Sequence, residues 1–257
     1  MRFSVLASGS KGNACYIETE NTRLLIDAGL SCRDLIKRME LVGLETSRLD
    51  AIIITHEHSD HIKGAGPISR KFNSTVYSNS STITRCIKML GNTSINDQIL
   101  TGESLKINDL TVETFSKDHD AIDPIGLTVS SNGSRLGILT DAGKSTSLAE
   151  EMLQNCTGIL LEFNHDVEML ESGPYPYYLK KRIRGSKGHL SNDQAGILLK
   201  RLSHEGMIHV VLAHLSEVNN TPEKALARAR ESLLECNMAN IPVHVSYQDY
   251  PCPVLEI

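Results

Sequence analysis

The sequence predicts a single layered α/β domain spanning residues 1–257. Strand-length apolar runs alternate with helical patterns along both halves of the chain, which favours one layered unit. No low-complexity segment or polar linker divides it. The runs Ala51-Ile52-Ile53-Ile54 and Gly158 to Glu162 are short and almost wholly apolar, as strands buried on both faces are. The chain is 40% hydrophobic and 22% charged, ordinary for a globular protein and long enough to bury a core without crosslinks. Aromatics are only 4% and Trp is absent, so that core must be mostly Leu, Ile and Val.

Phe3 to Ala7 reads as the first strand, and Ser8-Gly9-Ser10-Lys11-Gly12-Asn13 as a turn rich in residues that tolerate positive φ. Cys15 to Glu18 and Arg23 to Ile26 follow as strands. Ser31 to Leu41 has helical spacing, with Leu35, Ile36 and Met39 on one face. After the Ala51–Ile54 strand, Asn79 to Leu90 predicts a helix for which Ser80 or Ser81 is available as cap. Residues 104–116, 125–130 and 134–140 read as strands, the last two joined by a Ser131-Asn132-Gly133 hairpin turn. Ser147 to Leu153 is helical and Gly158 to Glu162 a strand. Ser191 caps a helix reaching about Ser203, with Ala195, Leu198, Leu199 and Leu202 as its apolar stripe. Ile208 to Ala213 is a strand, Pro222 to Leu234 a helix opened by Thr221, and Val243 to Tyr247 a last strand.

Twenty-six basic and 31 acidic residues leave a net charge of −5, which excludes a globally basic DNA-coating protein but not a local basic patch. The opening apolar stretch is too short for a signal-peptide core, and no run of 18 apolar residues offers a membrane span. A cytoplasmic location is therefore expected. The six cysteines, Cys15, Cys32, Cys86, Cys156, Cys236 and Cys252, are scattered without a C-x-x-C pair, which favours free thiols over disulfides or a thiolate zinc site.

The chemistry lies in the histidines. His56-Glu57-His58-Ser59-Asp60-His61 directly follows a buried strand, and H-x-H-x-D-H arises by chance in roughly one chain in a thousand of this length. Two His one residue apart at a strand end can aim at one metal ion. The Asp–His pair, as the chain turns into a helix, can serve a second ion about 3.5–4 Å away. Further candidates close other strands: Asp27 before Ala28-Gly29, Asp141 before Ala142-Gly143, His119 just past Phe115-Ser116, and His214 after Ala213. The two D-A-G turns, one per half, also suggest an internal duplication.

The order I-D-A-G, H-E-H-S-D-H, a lone His, T-D-A-G and A-H-L-S resembles the metallo-β-lactamase superfamily over essentially the whole chain. That resemblance implies a four-layer αββα sandwich with two pseudo-symmetric halves and a dinuclear metal site along one edge. S-G-S-K-G-N at 8–13, F-N-H-D-V-E-M-L at 163–170 and K-G-H-L-S-N at 187–192 are similar to the YycJ-like (WalJ-like) group, regarded as metal-dependent nucleases acting on DNA from the 5′ end. By that resemblance His56, His58 and His119 hold one ion and Asp60, His61 and His214 the other, with Asp141 bridging and Asp27 buttressing the metal-binding turn. His119 fits least well, because Lys117-Asp118-His119-Asp120 lacks a Gly-rich context. His189, in Gly188-His189-Leu190-Ser191, resembles the histidine that protonates a leaving oxygen or neutralises the phosphate in related phosphodiesterases. His165 is expected to anchor a phosphate or orient His189. His204, His209 and His244 read as structural.

Tyr175 to Lys187 carries Lys180, Lys181, Arg182, Arg184 and Lys187 with no acid, a local reversal of sign leading into His189. These five are expected to contact a phosphate backbone, and the tyrosines to stack on exposed bases. True β-lactamase activity is disfavoured, since His61 and His214 stand without a nearby Cys or export signal. The 72 residues between Asp141 and His214 leave no room for the inserted domain of the superfamily's RNA-processing nucleases. The expected reaction is phosphodiester hydrolysis with two Zn²⁺ or Mn²⁺ ions, on nucleic acid and most simply at DNA ends. A small-molecule hydrolase of thioesters or cyclic phosphodiesters, and a non-catalytic metal-holding regulatory partner, stay open as alternatives.

Overall fold

Strands β1 (Arg2–Ala7), β2 (Ala14–Glu18) and β3 (Arg23–Ile26) pair antiparallel, and β4 (Ala51–Ile53), β5 (Thr75–Tyr77) and β6 (Ile95–Asn96) add to them in parallel. In the second half β7 (Ser104–Ile107), β8 (Leu110–Ser116), β9 (Ile125–Ser131) and β10 (Ser134–Leu139) pair antiparallel. To these β11 (Gly158–Glu162), β12 (His209–Ala213) and β13 (Val243–Val245) add in parallel. β14 (Leu255–Glu256) returns to the first sheet, antiparallel to β1. Two seven-stranded sheets result among the described residues, 1–96 and 99–257 of this computed structural model. Both sheets run through three antiparallel pairings and then three parallel ones, so β3 corresponds to β10 and β4 to β11. The halves are pseudo-symmetric, as the paired D-A-G turns suggest.

Between the sheets lies one apolar layer that includes Phe3, Ile17, Ile26, Leu127, Ile138 and Val211. A second layer, with Leu35, Met39, Ile68 and Leu90, joins the first sheet to α1 (Cys32–Leu41), α2 (Ser59–Ile62), α3 (Ala65–Phe72) and α4 (Ser80–Leu90). A third, with Leu153, Leu161, Leu199 and Leu233, joins the other sheet to α5 (Ser147–Leu153), α8 (Asn192–Leu202) and α9 (Pro222–Glu235). This is the αββα sandwich. Two further helices, α6 (Val167–Ser172) and α7 (Tyr177–Ile183), lie between β11 and α8. Among the described residues no helix is long and apolar enough to cross a membrane.

Helix starts follow their caps. Ser31 accepts from the Asp34 N–H, Thr221 from that of Lys224, and Ser191 forms a capping box with Gln194. At α4 the cap is Asn79, which accepts from the Thr82 N–H, and not Ser80 or Ser81. Asn79 is still extended, as a cap must be, whereas the serines already belong to the helix. The expected strand 104–116 is two strands, broken at left-handed Asn108.

Candidate metal centre

The functional residues emerge where the parallel strands end, as ligand sites on open α/β sheets do. After β3 and β10 the two D-A-G turns bend sharply, with Asp27 and Asp141 left-handed at φ 59° and 53°. Their glycines leave room for another backbone. A Cβ on Gly29 would lie 1.7 Å from the Asp60 carbonyl oxygen, and one on Gly143 2.4 Å from the Ser186 backbone. Asp27 faces inward and braces the histidine segment. Its carboxylate accepts from the Thr55 N–H at 2.8 Å and the Thr55 hydroxyl at 2.9 Å, and lies 2.7 Å from His61 Nδ1. His61 is thereby turned so that Nε2 lies 3.3 Å from Asp141 Oδ2 and 3.5 Å from Asp60 Oδ2.

Two donor groups result. In the first, His56 Nε2 lies 3.1 Å and His119 Nε2 3.3 Å from His58 Nδ1. The other ring nitrogen of His119 is 3.2 Å from the Gly188 carbonyl, which fixes the ring. Burial, with His61 and Lys117 nearby, holds His56 well below the usual imidazole range. Burial also takes His119 down to about 4, with Lys117 and His189 acting the same way against Asp141. A neutral imidazole keeps one ring nitrogen free as a lone pair, which is what a cation needs from His56 and His119. In the second group Asp141 Oδ1 lies 2.9 Å from His214 Nδ1, with Glu162 and His189 beside them, while Asp141 also converges with His61 and His56. Asp141 Oδ2 and His214 Nδ1 are buried, and despite these close approaches neither makes a hydrogen bond of proper geometry. Orphaned buried donor atoms of mixed N and O type fit a divalent cation. Asp60 stands at the rim, 3.2 Å from the Asn13 amide that donates to it. Burial would raise its pKa, but His61 lowers it.

Sequence reasoning missed two residues. Glu162, fully buried at the end of β11, places Oε1 2.8 Å from His189 Nδ1, while its Oε2 accepts from the Ala142 and Leu190 N–H groups. Burial alone would lower the His189 pKa, but Glu162, with Asp141 and Asp120, raises it to about 9. Glu162 thus favours the charged form of a ring whose Nδ1 stands 3.9 Å from Asp141 Oδ1. Lys117, nearly buried, donates to the Thr140 carbonyl at 2.5 Å, one residue before the Asp141 turn. An acid ending an apolar strand was the available signal for Glu162; a lone Lys carried none.

A cleft of 270 Å³ opens above these groups, with His58, Asp60, His119, Asp141, His189 and His214 at its floor. His165 is buried outside the cleft wall, its carbonyl accepting from the Asn192 N–H, and the contact to His189 expected of it is made by Glu162. Of the basic stretch only Arg182 lines the cleft, and it pairs with Asp120 at 2.6 Å. Arg184 pairs with Glu171, and Lys180 donates to the Glu171 carbonyl. Lys181 and Lys187 are exposed. His204 bonds the Cys156 carbonyl, and His209 and His244 pair with each other, all away from the cleft.

The β-lactamase superfamily domain profile matches residues 22–214. The chain is 35% identical over 237 residues to exodeoxyribonuclease YycJ of Bacillus anthracis, covering 91% of this chain and 90% of that protein. It is 34% identical to exodeoxyribonuclease WalJ of Streptococcus pneumoniae, covering 100% of this chain and 98% of that one. Its fold is similar to the metallo-β-lactamase fold protein YhfI of Bacillus subtilis, with a TM-score of 0.74 at 16% identity over 99% of both chains. With the donor groups and the sandwich in place, these likenesses decide the family: the chain belongs to the metallo-β-lactamase superfamily, in the YycJ/WalJ group, and is a metal-dependent hydrolase.

Proposed function

We propose that this hydrolase is a dinuclear phosphodiesterase that removes nucleotides from DNA, acting from the 5′ end. The observation that carries the chemistry is the His189–Glu162 pair beside Asp141. His56, His58 and His119 would hold one divalent ion and Asp60, His61 and His214 a second, with Asp141 between them. Bound ions would supply Lewis acidity to the phosphate and a nucleophile at neutral pH.

The chain's own residues do the rest. Glu162 fixes His189 through Nδ1 and keeps it charged, leaving Nε2 to give its proton to the departing oxygen. Asp27 and the Gly188 carbonyl hold His61 and His119 in orientation. Arg182 at the cleft wall, with Lys181 and Lys187 outside it, offers positive charge to the strand backbone. Exodeoxyribonuclease relatives along the whole chain support DNA as substrate, and the group resemblance supports the 5′ end. The small cleft volume also favours a second reading, hydrolysis of a small phosphodiester.

Cleavage of 5′- and 3′-end-labelled duplex DNA with Mn²⁺ or Zn²⁺ separates them. Metal-dependent release of 5′ nucleotides, lost in His58→Ala and His189→Ala, is expected. Turnover of small phosphodiesters alone, with metal bound, would refute the nuclease reading.

A further inference from the structure

One wall of the cleft has no part in that chemistry. Tyr175, Leu179 and Ile183 line it, and the polar Ser10, Asn164 and Ser216 also line the cleft. Leu179 and Ile183 stand one turn apart on the same face of α7, and Tyr175 reaches the cleft from just before the helix. No residue of α7 is fully buried, and these three are partly exposed, so part of their apolar surface remains open to the cleft. An apolar strip beside a floor of imidazoles and carboxylates gains nothing from a phosphate or a sugar. It gains from a flat ring with apolar faces and polar edges. The 270 Å³ of the cleft falls just under the range that holds a drug-sized ligand, a size that suits a single nucleoside.

On the nuclease reading above, we infer that the cleft takes the terminal nucleobase unpaired, its face against Tyr175, Leu179 and Ile183, with its phosphate over the metal groups. The substrate is then a single-stranded or frayed end, and a blunt duplex must open its last pair before cleavage. Every base has a π-face, and the strip has few hydrogen-bonding groups to read base edges, so sequence preference is weak.

The test compares single-stranded oligonucleotides carrying a 5′-terminal thymidine or a 5′-terminal abasic (tetrahydrofuran) residue, with Mn²⁺ and the full chain. Wild type should cleave the thymidine substrate about tenfold faster or more, the range that base–aromatic stacking supports. Tyr175→Ala and Leu179→Ala should lose a similar factor on thymidine and nothing further on the abasic strand, while Tyr175→Phe retains the wild-type preference. Raising the number of unpaired terminal bases on a duplex should raise the rate. Equal rates on the two strands, or equal losses on both in Tyr175→Ala, would overturn the inference and leave the nuclease reading standing. Cleavage of neither strand by metal-loaded protein that still degrades duplex DNA would overturn the inference alone, and cleavage of no DNA at all would overturn both.

Discussion

Replacing Glu162 with Gln tests the origin of the acid. Glu162 Oε1 lies 2.8 Å from His189 Nδ1 in a site where the carboxylate is fully buried. In the variant the amide oxygen can keep the Ala142 and Leu190 donors while the NH₂ faces His189, so shape is preserved and only charge is lost. Against a reference of 6.5, a His189 pKa of about 9 corresponds to about 3 kcal/mol in favour of the charged ring. Without Glu162 the burial that lowers this pKa remains, opposed only by Asp141 and Asp120, so the metal-free variant should titrate well below the wild-type ring. Because the folded pKa is the raised one, the stability it confers is complete below pH 6.5 and lost as pH climbs through about 9. The variant should lack that decline. At pH 8 the wild-type ring is about nine-tenths protonated, and the variant ring should be protonated far less. The rate should fall at least about tenfold, within the reach of general acid catalysis. Bound cations lower both pKa values, so the titration is read by histidine NMR on metal-free protein, with kcat measured separately. A variant His189 still titrating near 9 would refute the assignment of the charge to Glu162.

Asp27→Asn should weaken metal binding about 10–100-fold in a chelator competition, because His61 loses the carboxylate on its Nδ1; an unchanged affinity would show that Asp27 serves only the fold. Gly29→Ala places a methyl 1.7 Å from the Asp60 carbonyl oxygen and should cost at least about 1–3 kcal/mol in urea unfolding. The double variant Lys181→Ala/Lys187→Ala should reduce the salt dependence of DNA binding by up to about two phosphate contacts, measured as the slope of log K against log salt, with kcat unaltered.

Much of this centre is legible without coordinates because its residues punctuate strands. His56 to His61 follows an apolar run long enough to be recognised, and the two D-A-G turns announce matching strand ends in both halves. What stayed hidden depends on contacts distant in sequence. Glu162 looks like the polar end of a strand until His189, 27 residues later, is seen against it. Strand β5 has three residues and β14 two, too short for any periodicity, and β14 finds its partner across the whole chain. The basic stretch shows its charge in the sequence but not its pairing. Asp120 and Glu171, from separate segments, take up Arg182 and Arg184, and helix α7 turns its apolar side to the cleft.

The proposed centre holds two ions acting together through seven residues. Titrating Mn²⁺ into metal-free protein while following both bound metal and phosphodiester hydrolysis tests it most directly. Activity should stay low through the first equivalent and rise to its plateau at two, with His58→Ala binding fewer ions and remaining inactive. Full activity at one equivalent, or a plateau that ignores the loss of His58, would contradict the dinuclear centre.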